Sequence, residues 1–132
     1  MSTPASVLIV EDEESILLSL EFLLGKEGYA VQSARDGAAA LHTLQMQPPD
    51  LVLLDVMLPL IDGFELCRLI RENPALLGTR IMLLTARGRE TEIALGLTLG
   101  ADAYLTKPFS TRDLMDKVRT LLSGRNTPQP LG

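Results

Sequence analysis

The sequence predicts an α/β fold in which helices cover both faces of one parallel β-sheet. Five short aliphatic runs suited to buried strands alternate with longer stretches whose apolar residues lie three and four positions apart. Strand–helix–strand units join parallel strands by right-handed crossovers, and five units are too few for an eight-stranded barrel. The expected architecture is a single open, doubly wound five-stranded sheet with five helices.

The predicted strands are the aliphatic runs at residues 7–10, 30–34, 51–54, 81–84 and 103–105. Helix-breaking residues stand between them where the pattern needs them. Gly25 and Gly28 end the first helix, and Asn73 with Pro74 ends the third. Asp36 is expected to cap the second helix, and Asp62 and Asp102 to lie in turns.

The last helix has the clearest pattern. Ser110 followed by Asp113 three residues later predicts a capping box at its start. One face is apolar and consists of Leu114, Val118, Leu121 and Leu122.

Length and composition favour one globular domain. The chain has 132 residues, of which 46% are hydrophobic and 22% charged. The boundaries we predict are a tail at residues 1–5, the domain at 6–122, and a tail or linker at 123–132. The net charge of −5 argues against nucleic-acid binding by this segment. No continuous apolar stretch approaches the length of a membrane span, and the single cysteine favours a cytoplasmic location.

Polar residues follow four of the five predicted strands. Glu11 and Asp12 follow the first, Asp55 the third, Thr85 the fourth, and Lys107 the fifth. Ligands of such sheets bind at the carboxyl ends of the strands. Three carboxylates in one pocket repel one another unless a cation lies between them, and Mg²⁺ suits oxygen ligands of this kind. The ammonium of Lys107 and the hydroxyl of Thr85 suit phosphate oxygens, so the pattern indicates phosphoryl transfer.

The sequence resembles the receiver domain of two-component response regulators over residues 6–122. The resemblance lies in the motifs LIVEDE at 8–13, DLVLLDVMLP at 50–59, Asp62-Gly63, LTA at 84–86 and GADAYLTKPF at 100–109. It implies the flavodoxin-like receiver fold with strand order 2-1-3-4-5.

The resemblance also implies roles for single residues. Asp55 would be phosphorylated, Thr85 and Lys107 would contact the phosphoryl group, and Tyr104 would be the aromatic switch residue. The implied ligands of Mg²⁺ are Glu11, Asp12, Asp55 and the backbone carbonyl of Met57. Glu11 departs from the aspartate that is commoner at its position, but it still supplies a carboxylate.

The implied function is a phosphorylation-dependent signalling switch that takes its phosphoryl group from a phosphohistidine. The expected donor is a sensor histidine kinase or a histidine phosphotransfer protein. Either an output domain follows residue 132, or the chain is a stand-alone phosphorelay shuttle. Pairing of two copies on phosphorylation is left open, although Ala103 stands where an acid is frequent in receivers that pair through ionic contacts.

Two other function classes fit the chemistry less well, and we expect the chain not to be an enzyme. A phosphatase with a nucleophilic aspartate commonly needs a second acid two positions later, where Met57 stands. A flavin-binding electron carrier needs hydroxyls and glycines after its first strand, and the four acids at 11–14 would repel a flavin phosphate.

The first helix has more apolar residues than packing on one face of a sheet requires. Leu18 and Phe22 lie opposite the stripe that we expect to face the core. Two interpretations stay open: a docking surface for the kinase, as the resemblance implies, or extra contact with the core.

Overall fold

The computed structural model describes residues 4–123. Its strands are β1 Ser6–Val10, β2 Ala30–Ala34, β3 Leu51–Asp55, β4 Arg80–Ala86 and β5 Ala103–Lys107. The helices are α1 Glu14–Lys26, α2 Gly37–Met46, α3 Gly63–Glu72, α4 Glu90–Thr98 and α5 Thr111–Leu122, with a short 3₁₀ helix at Pro74–Leu76. Strand and helix alternate along the described residues, as the sequence predicts.

The five strands form one parallel sheet in the order β2-β1-β3-β4-β5. This confirms the predicted fold class and strand order. The order places β1 beside β3, so that the residues following these two strands meet at one edge of the sheet.

The last two strands are longer than their apolar runs. The β4–β5 pairing continues through Thr85 opposite Thr106 and Ala86 opposite Lys107. Ladder hydrogen bonds come from the backbone, so a strand extends into polar sequence wherever its neighbour still pairs with it. The extension makes Lys107 the last residue of β5 and holds it at the site.

Two apolar layers sandwich the sheet, because successive residues of a strand point to opposite faces. Leu8 and Val10 pack in one layer with α2 and α3, while Val7 and Ile9 pack in the other with α1 and α5. All five residues of β3 are buried, as expected for the central strand of a covered parallel sheet.

Side-chain caps start three of the five α-helices. Asp36 accepts a hydrogen bond from Ala39 N in α2, and Ser110 accepts one from Asp113 N in α5, as predicted. Asp62, interpreted from the sequence as a turn residue, also caps α3 through Glu65 N. The capping role of Asp62 was not predicted from the sequence. The cap bears on function, because α3 begins beside Asp55.

The loop between β3 and α3 is unusually tight. Ile61 N donates to the carbonyl of Pro59 at 2.9 Å, and Leu60 between them has a φ of 71°. These features define a classic γ-turn, which is rare and strained. A residue with a Cβ in this left-handed region costs about 1–2 kcal/mol.

Gly63 allows the same loop to return against the sheet. A Cβ at this position would lie 2.5 Å from the carbonyl oxygen of Asp55 and 2.6 Å from Cα of Val56. Only glycine lets α3 start this close to the end of β3.

The ends of the domain are partly described. Ala5 is buried, and its carbonyl accepts a hydrogen bond from Ala30 N, so packing begins one residue before β1. Most of the predicted tail or linker at 123–132, and residues 1–3 of the predicted N-terminal tail, lie outside the described residues. Within 4–123, no helix is long and apolar enough to span a membrane.

Candidate functional site

Three carboxylates converge at the carboxyl edge of the sheet. Glu11 and Asp12 follow β1, and Asp55 ends β3. Each of them offers an oxygen atom, and these atoms all lie within 4.8 Å of one another. The structure therefore brings together the acids that the sequence predicted to meet.

Glu11 is completely buried, and both of its carboxylate oxygens have close neighbours. Oε1 lies 2.8 Å from Nζ of Lys107, and Oε2 accepts a hydrogen bond from Glu13 N at 3.1 Å. Burial raises the pKa of the Glu11 carboxyl despite these two contacts, and the charge of Asp55 raises it further. The side chain of Glu11, which is one methylene longer than that of an aspartate, thus reaches across the site to Lys107.

Asp55 is 5% exposed and is held at both oxygens. Oδ1 accepts a hydrogen bond from Met57 N at 3.0 Å, and Oδ2 lies 3.5 Å from Nζ of Lys107. The backbone amide donor fixes the rotation of the carboxylate. The side chain is therefore held by one backbone donor and one side-chain cation.

Lys107 is the cation that these carboxylates share. Burial on its own would lower the pKa of the ammonium, but the contact with Glu11 and the charges of Asp55 and Glu11 outweigh it and raise the pKa. Lys107 is thus held as a positive charge within reach of any group bound to Asp55.

The donor set fits a divalent cation. Glu11, Asp12 and Asp55 bring three negative charges, and Lys107 brings one positive charge to two of them. Mg²⁺ prefers sites with several oxygen ligands and a net negative charge. Glu11 and Asp12 with Asp55 are the residues that would hold the ion. The predicted fourth ligand, the carbonyl of Met57, stays a prediction.

We expect Asp55→Asn to melt at or above the wild type without divalent metal, because it removes one of three mutually repelling charges. We also expect saturating Mg²⁺ to stabilise the wild type by about 1–3 kcal/mol. Thermal melts in EDTA and in Mg²⁺ measure both effects, with Asp116→Asn as the control for loss of an exposed acid on α5. No response of the wild type to Mg²⁺, together with a large loss of stability in Asp55→Asn, would contradict the shared site.

Thr85 and Tyr104 are placed near the site but do not take part in its contacts. Thr85 follows Leu84, which pairs with Asp55, and it is 2% exposed. Its hydroxyl donates only a long hydrogen bond, of 3.4 Å, to the carbonyl of Ala86. Tyr104 is 37% exposed, and Nζ of Lys117 lies 5.0 Å from the centre of its ring. The structure thus shows the aromatic residue in an outward position.

Two contributions to the site were missed in the sequence. The sequence assigned Glu13 no part in the site, whereas its backbone amide donates a hydrogen bond to Oε2 of Glu11. No sequence signal could have found this, since any residue but proline supplies the same N–H group. Gly63 was part of a recognised motif, but its close approach to Asp55 appears only in three dimensions.

One side of the site continues into an apolar groove beside α1. The groove has a volume of about 550 Å³ and is lined by Ile16, Leu23 and Phe109, with Glu13 and Lys107 among its polar residues. Leu18 and Phe22 are 54% and 66% exposed on the outer surface of α1. Extra contact with the core is therefore the wrong interpretation of these two side chains, and the docking interpretation remains.

Comparison with known sequences identifies the relatives of the chain. The family model described as the response regulator receiver domain matches residues 7–119. The chain is 45% identical over 116 residues to the alkaline phosphatase synthesis transcriptional regulatory protein PhoP of Bacillus subtilis. The alignment covers 88% of this chain and 48% of PhoP, so the chain spans about half the length of that relative.

Solved structures agree with this comparison. A putative response regulator from Chloroflexus aurantiacus superposes with a TM-score of 0.88 at 36% identity, covering 92% of this chain and 99% of that one. The receiver domain of a sensor histidine kinase from Pseudomonas aeruginosa superposes with a TM-score of 0.84 at 29% identity, with the same two coverages. That structure has a magnesium ion coordinated in its active site cleft.

Proposed function

This chain belongs to the response regulator receiver domain family, and from that membership we propose that Asp55 is the residue that accepts the phosphoryl group. The domain is a phosphorylation-dependent signalling switch. One observation carries the assignment to Asp55. Of the three clustered acids, only Asp55 ends the central strand, and its two carboxylate oxygens face Met57 N and Lys107.

The reaction we propose is a displacement at phosphorus. An oxygen of Asp55 attacks the phosphorus of a phosphohistidine, an O–P bond forms, and the P–N bond breaks. The imidazole nitrogen leaves with the electron pair of that bond, and the product is an aspartyl phosphate. Orientation of Asp55 by Met57 N and Lys107 holds the nucleophile ready for in-line attack.

Charge stabilisation is the main contribution of the surrounding residues. Lys107 donates to the oxygens of the transferring group, and its contact with Glu11 keeps it from folding away from the site. The hydroxyl of Thr85 is free to exchange its long contact with Ala86 for a phosphoryl oxygen. Mg²⁺, when held by Glu11, Asp12 and Asp55, would neutralise negative charge on the phosphoryl group.

We further propose that phosphorylation is read out through Thr85 and Tyr104. Movement of the Thr85 hydroxyl toward the phosphoryl group frees space on the inner side of β5. Tyr104, which now lies outward beside Lys117, would turn into that space. The switch would thereby select between two arrangements of the surface formed by α4 and β5.

Receiver domains of response regulators take their phosphoryl group from histidine kinases or phosphotransfer proteins. For this chain we propose a sensor histidine kinase as donor, an output domain joined after residue 132, and a switch role without enzymatic turnover. The alternative is a stand-alone phosphorelay shuttle. Pairing of phosphorylated copies and a cytoplasmic location stay predictions, as does the lack of direct contact with nucleic acid or membrane.

Treatment with acetyl phosphate and Mg²⁺ tests the proposal. We expect the intact mass of the wild type to rise by one phosphoryl group, and the masses of Asp55→Asn and of EDTA-treated wild type to stay unchanged. Asp116→Asn, which removes an exposed acid far from the strand ends, should be labelled like the wild type. Full labelling of Asp55→Asn would overturn the assignment.

A further inference from the structure

The ammonium of Lys117, a residue of α5, lies over the aromatic ring of Tyr104. Its Nζ is 5.0 Å from the centre of the ring, which is within the range of a cation–π interaction. Tyr104 is exposed on β5, and Lys117 is half-buried. Lys117 has no part in the phosphoryl site, whereas Tyr104 is the proposed readout residue.

The contact joins the two faces of the sheet. Tyr104 pairs with Leu83, whose side chain packs in the layer of α2 and α3, and paired residues of neighbouring strands point to the same face. Lys117 lies between Leu114 and Val118 along α5, and both of these residues pack in the layer on the other face. Because β5 is the last strand of the sheet, the lysine side chain can pass its outer edge and reach the ring.

In the described part of the chain, no carboxylate competes with the ring for this ammonium. Asp116, the neighbour of Lys117 on α5, pairs with Arg119, and Asp102 pairs with Arg71. Lys117 takes part in none of the ion pairs between described residues. The tyrosine ring is therefore its electrostatic partner.

The residue before the tyrosine leaves this contact undisturbed. Ala103 lines, together with Lys117 and Leu121, a cavity of about 280 Å³ between β5 and α5. A methyl group at this position offers the ammonium no charge, whereas a carboxylate there would attract it away from the ring. The apolar residue at position 103 thus helps to keep the lysine over Tyr104.

The contact stabilises only the outward position of the ring. If the ring turns toward Thr85 on the inner side of β5, it leaves Lys117 behind, because α5 packs on the other face of the sheet. A cation over an aromatic ring at a partly exposed site is strong enough to change the ratio of two positions by about two- to fivefold. An interaction that is made in one of two positions biases the equilibrium between them.

We propose that Lys117 is a positioning residue that holds Tyr104 outward in the unphosphorylated domain and thereby sets the ratio of the two ring positions before phosphorylation. The inference rests on the proposed readout through Tyr104 and names a residue that opposes it. Phosphorylation of Asp55 must overcome this contact before the ring turns. Loss of the lysine charge should therefore shift the unphosphorylated domain toward the inward position.

Quenching of tyrosine fluorescence by acrylamide measures the position of the ring. The chain has two tyrosines and no tryptophan, so a Tyr29→Phe background leaves Tyr104 as the emitting residue. Acrylamide is uncharged, so its approach to the ring does not depend on the charge of the lysine. The quenching constants of this background protein before and after treatment with acetyl phosphate and Mg²⁺ are the references for the outward and inward positions.

We expect unphosphorylated Lys117→Met to give a quenching constant between the two references, with the ratio of inward to outward ring raised about two- to fivefold. Ala103→Asp should act in the same direction, because it offers the ammonium a carboxylate. Lys117→Arg keeps a cation that stacks on aromatic rings and should match the background protein. Lys26→Met is the matched control, since it removes a lysine whose Nζ lies 5.9 Å from the ring centre of Phe22 on α1.

A quenching constant of Lys117→Met that equals or exceeds the background value would overturn the inference, because removal of a lysine that merely covers the ring makes the ring more accessible. A shift in Lys117→Arg as large as that in Lys117→Met would also overturn it. If the background protein gains the mass of a phosphoryl group without any change in quenching, the proposed readout through Tyr104 fails, and the inference fails with it. The two references therefore distinguish a failure of the readout from a failure of the role of Lys117.

Discussion

Replacing Lys107 with methionine is expected to slow the labelling of Asp55 by acetyl phosphate by about 100-fold or more. Lys107 is the cation that lies next to both Glu11 and Asp55, at 2.8 Å and 3.5 Å. Without it, negative charge would build up on the transferring group beside buried carboxylates that nothing else in the described contacts neutralises. The effect should fall mainly on the maximal rate, because the lost contact is strongest in the transition state.

Two further variants make this result specific. Lys26→Met removes an exposed lysine of α1, and its labelling rate should match the wild type. Lys107→Arg keeps the charge but replaces a compact ammonium by a planar fork, so it should recover only part of the rate. Lys107→Met labelled at the wild-type rate, while folded by circular dichroism, would show that the lysine is merely structural.

The second large effect concerns the lifetime of the aspartyl phosphate, which we expect to be minutes to hours. Hydrolysis needs a water molecule in line with the acyl oxygen, held by a hydrogen-bonding side chain. The loops that border the phosphoryl group offer Met57 and Arg87, both exposed. A thioether is a weak acceptor, and a guanidinium stays protonated and does not act as a base.

The double variant Met57→Asn, Arg87→Glu should lose its phosphoryl group about tenfold to hundredfold faster, which corresponds to about 1–3 kcal/mol in the barrier. Decay of the phosphorylated protein after removal of the donor measures this. Met46→Asn, Arg119→Glu makes the same chemical changes at exposed positions on α2 and α5 and should decay like the wild type. A wild type that decays within seconds, or a double variant that is no faster, would contradict this explanation of the lifetime.

The sequence predicted the fold, and the meeting of Glu11, Asp12 and Asp55 at one edge of the sheet, for physical reasons that are visible in particular residues. Buried strands need aliphatic runs, so β3 was recognisable from four successive apolar residues, and the acid that ends it marked the edge of the sheet. The strand order came from the family resemblance, since apolar periodicity alone does not say which strands are neighbours.

The parts that escaped prediction depend on the backbone or on distance. Thr85, Thr106 and Lys107 extend β4 and β5 because their neighbours pair with them, and no apolar pattern signals this. The reach of Glu11 to Lys107 requires strands that are separated by more than ninety residues in the chain. The positive φ of Leu60 was the least predictable of these features, since a leucine is among the residues least expected in a left-handed turn.

Reductive trapping of the phosphorylated protein tests the central claim most directly. Borohydride converts an aspartyl phosphate into homoserine, and peptide mass spectrometry then gives its position in the chain. After acetyl phosphate and Mg²⁺, we predict homoserine at position 55 and an unmodified Asp12. Homoserine at position 12, or a stable phosphoryl group that resists borohydride, would contradict the assignment of Asp55 as the acceptor of this switch.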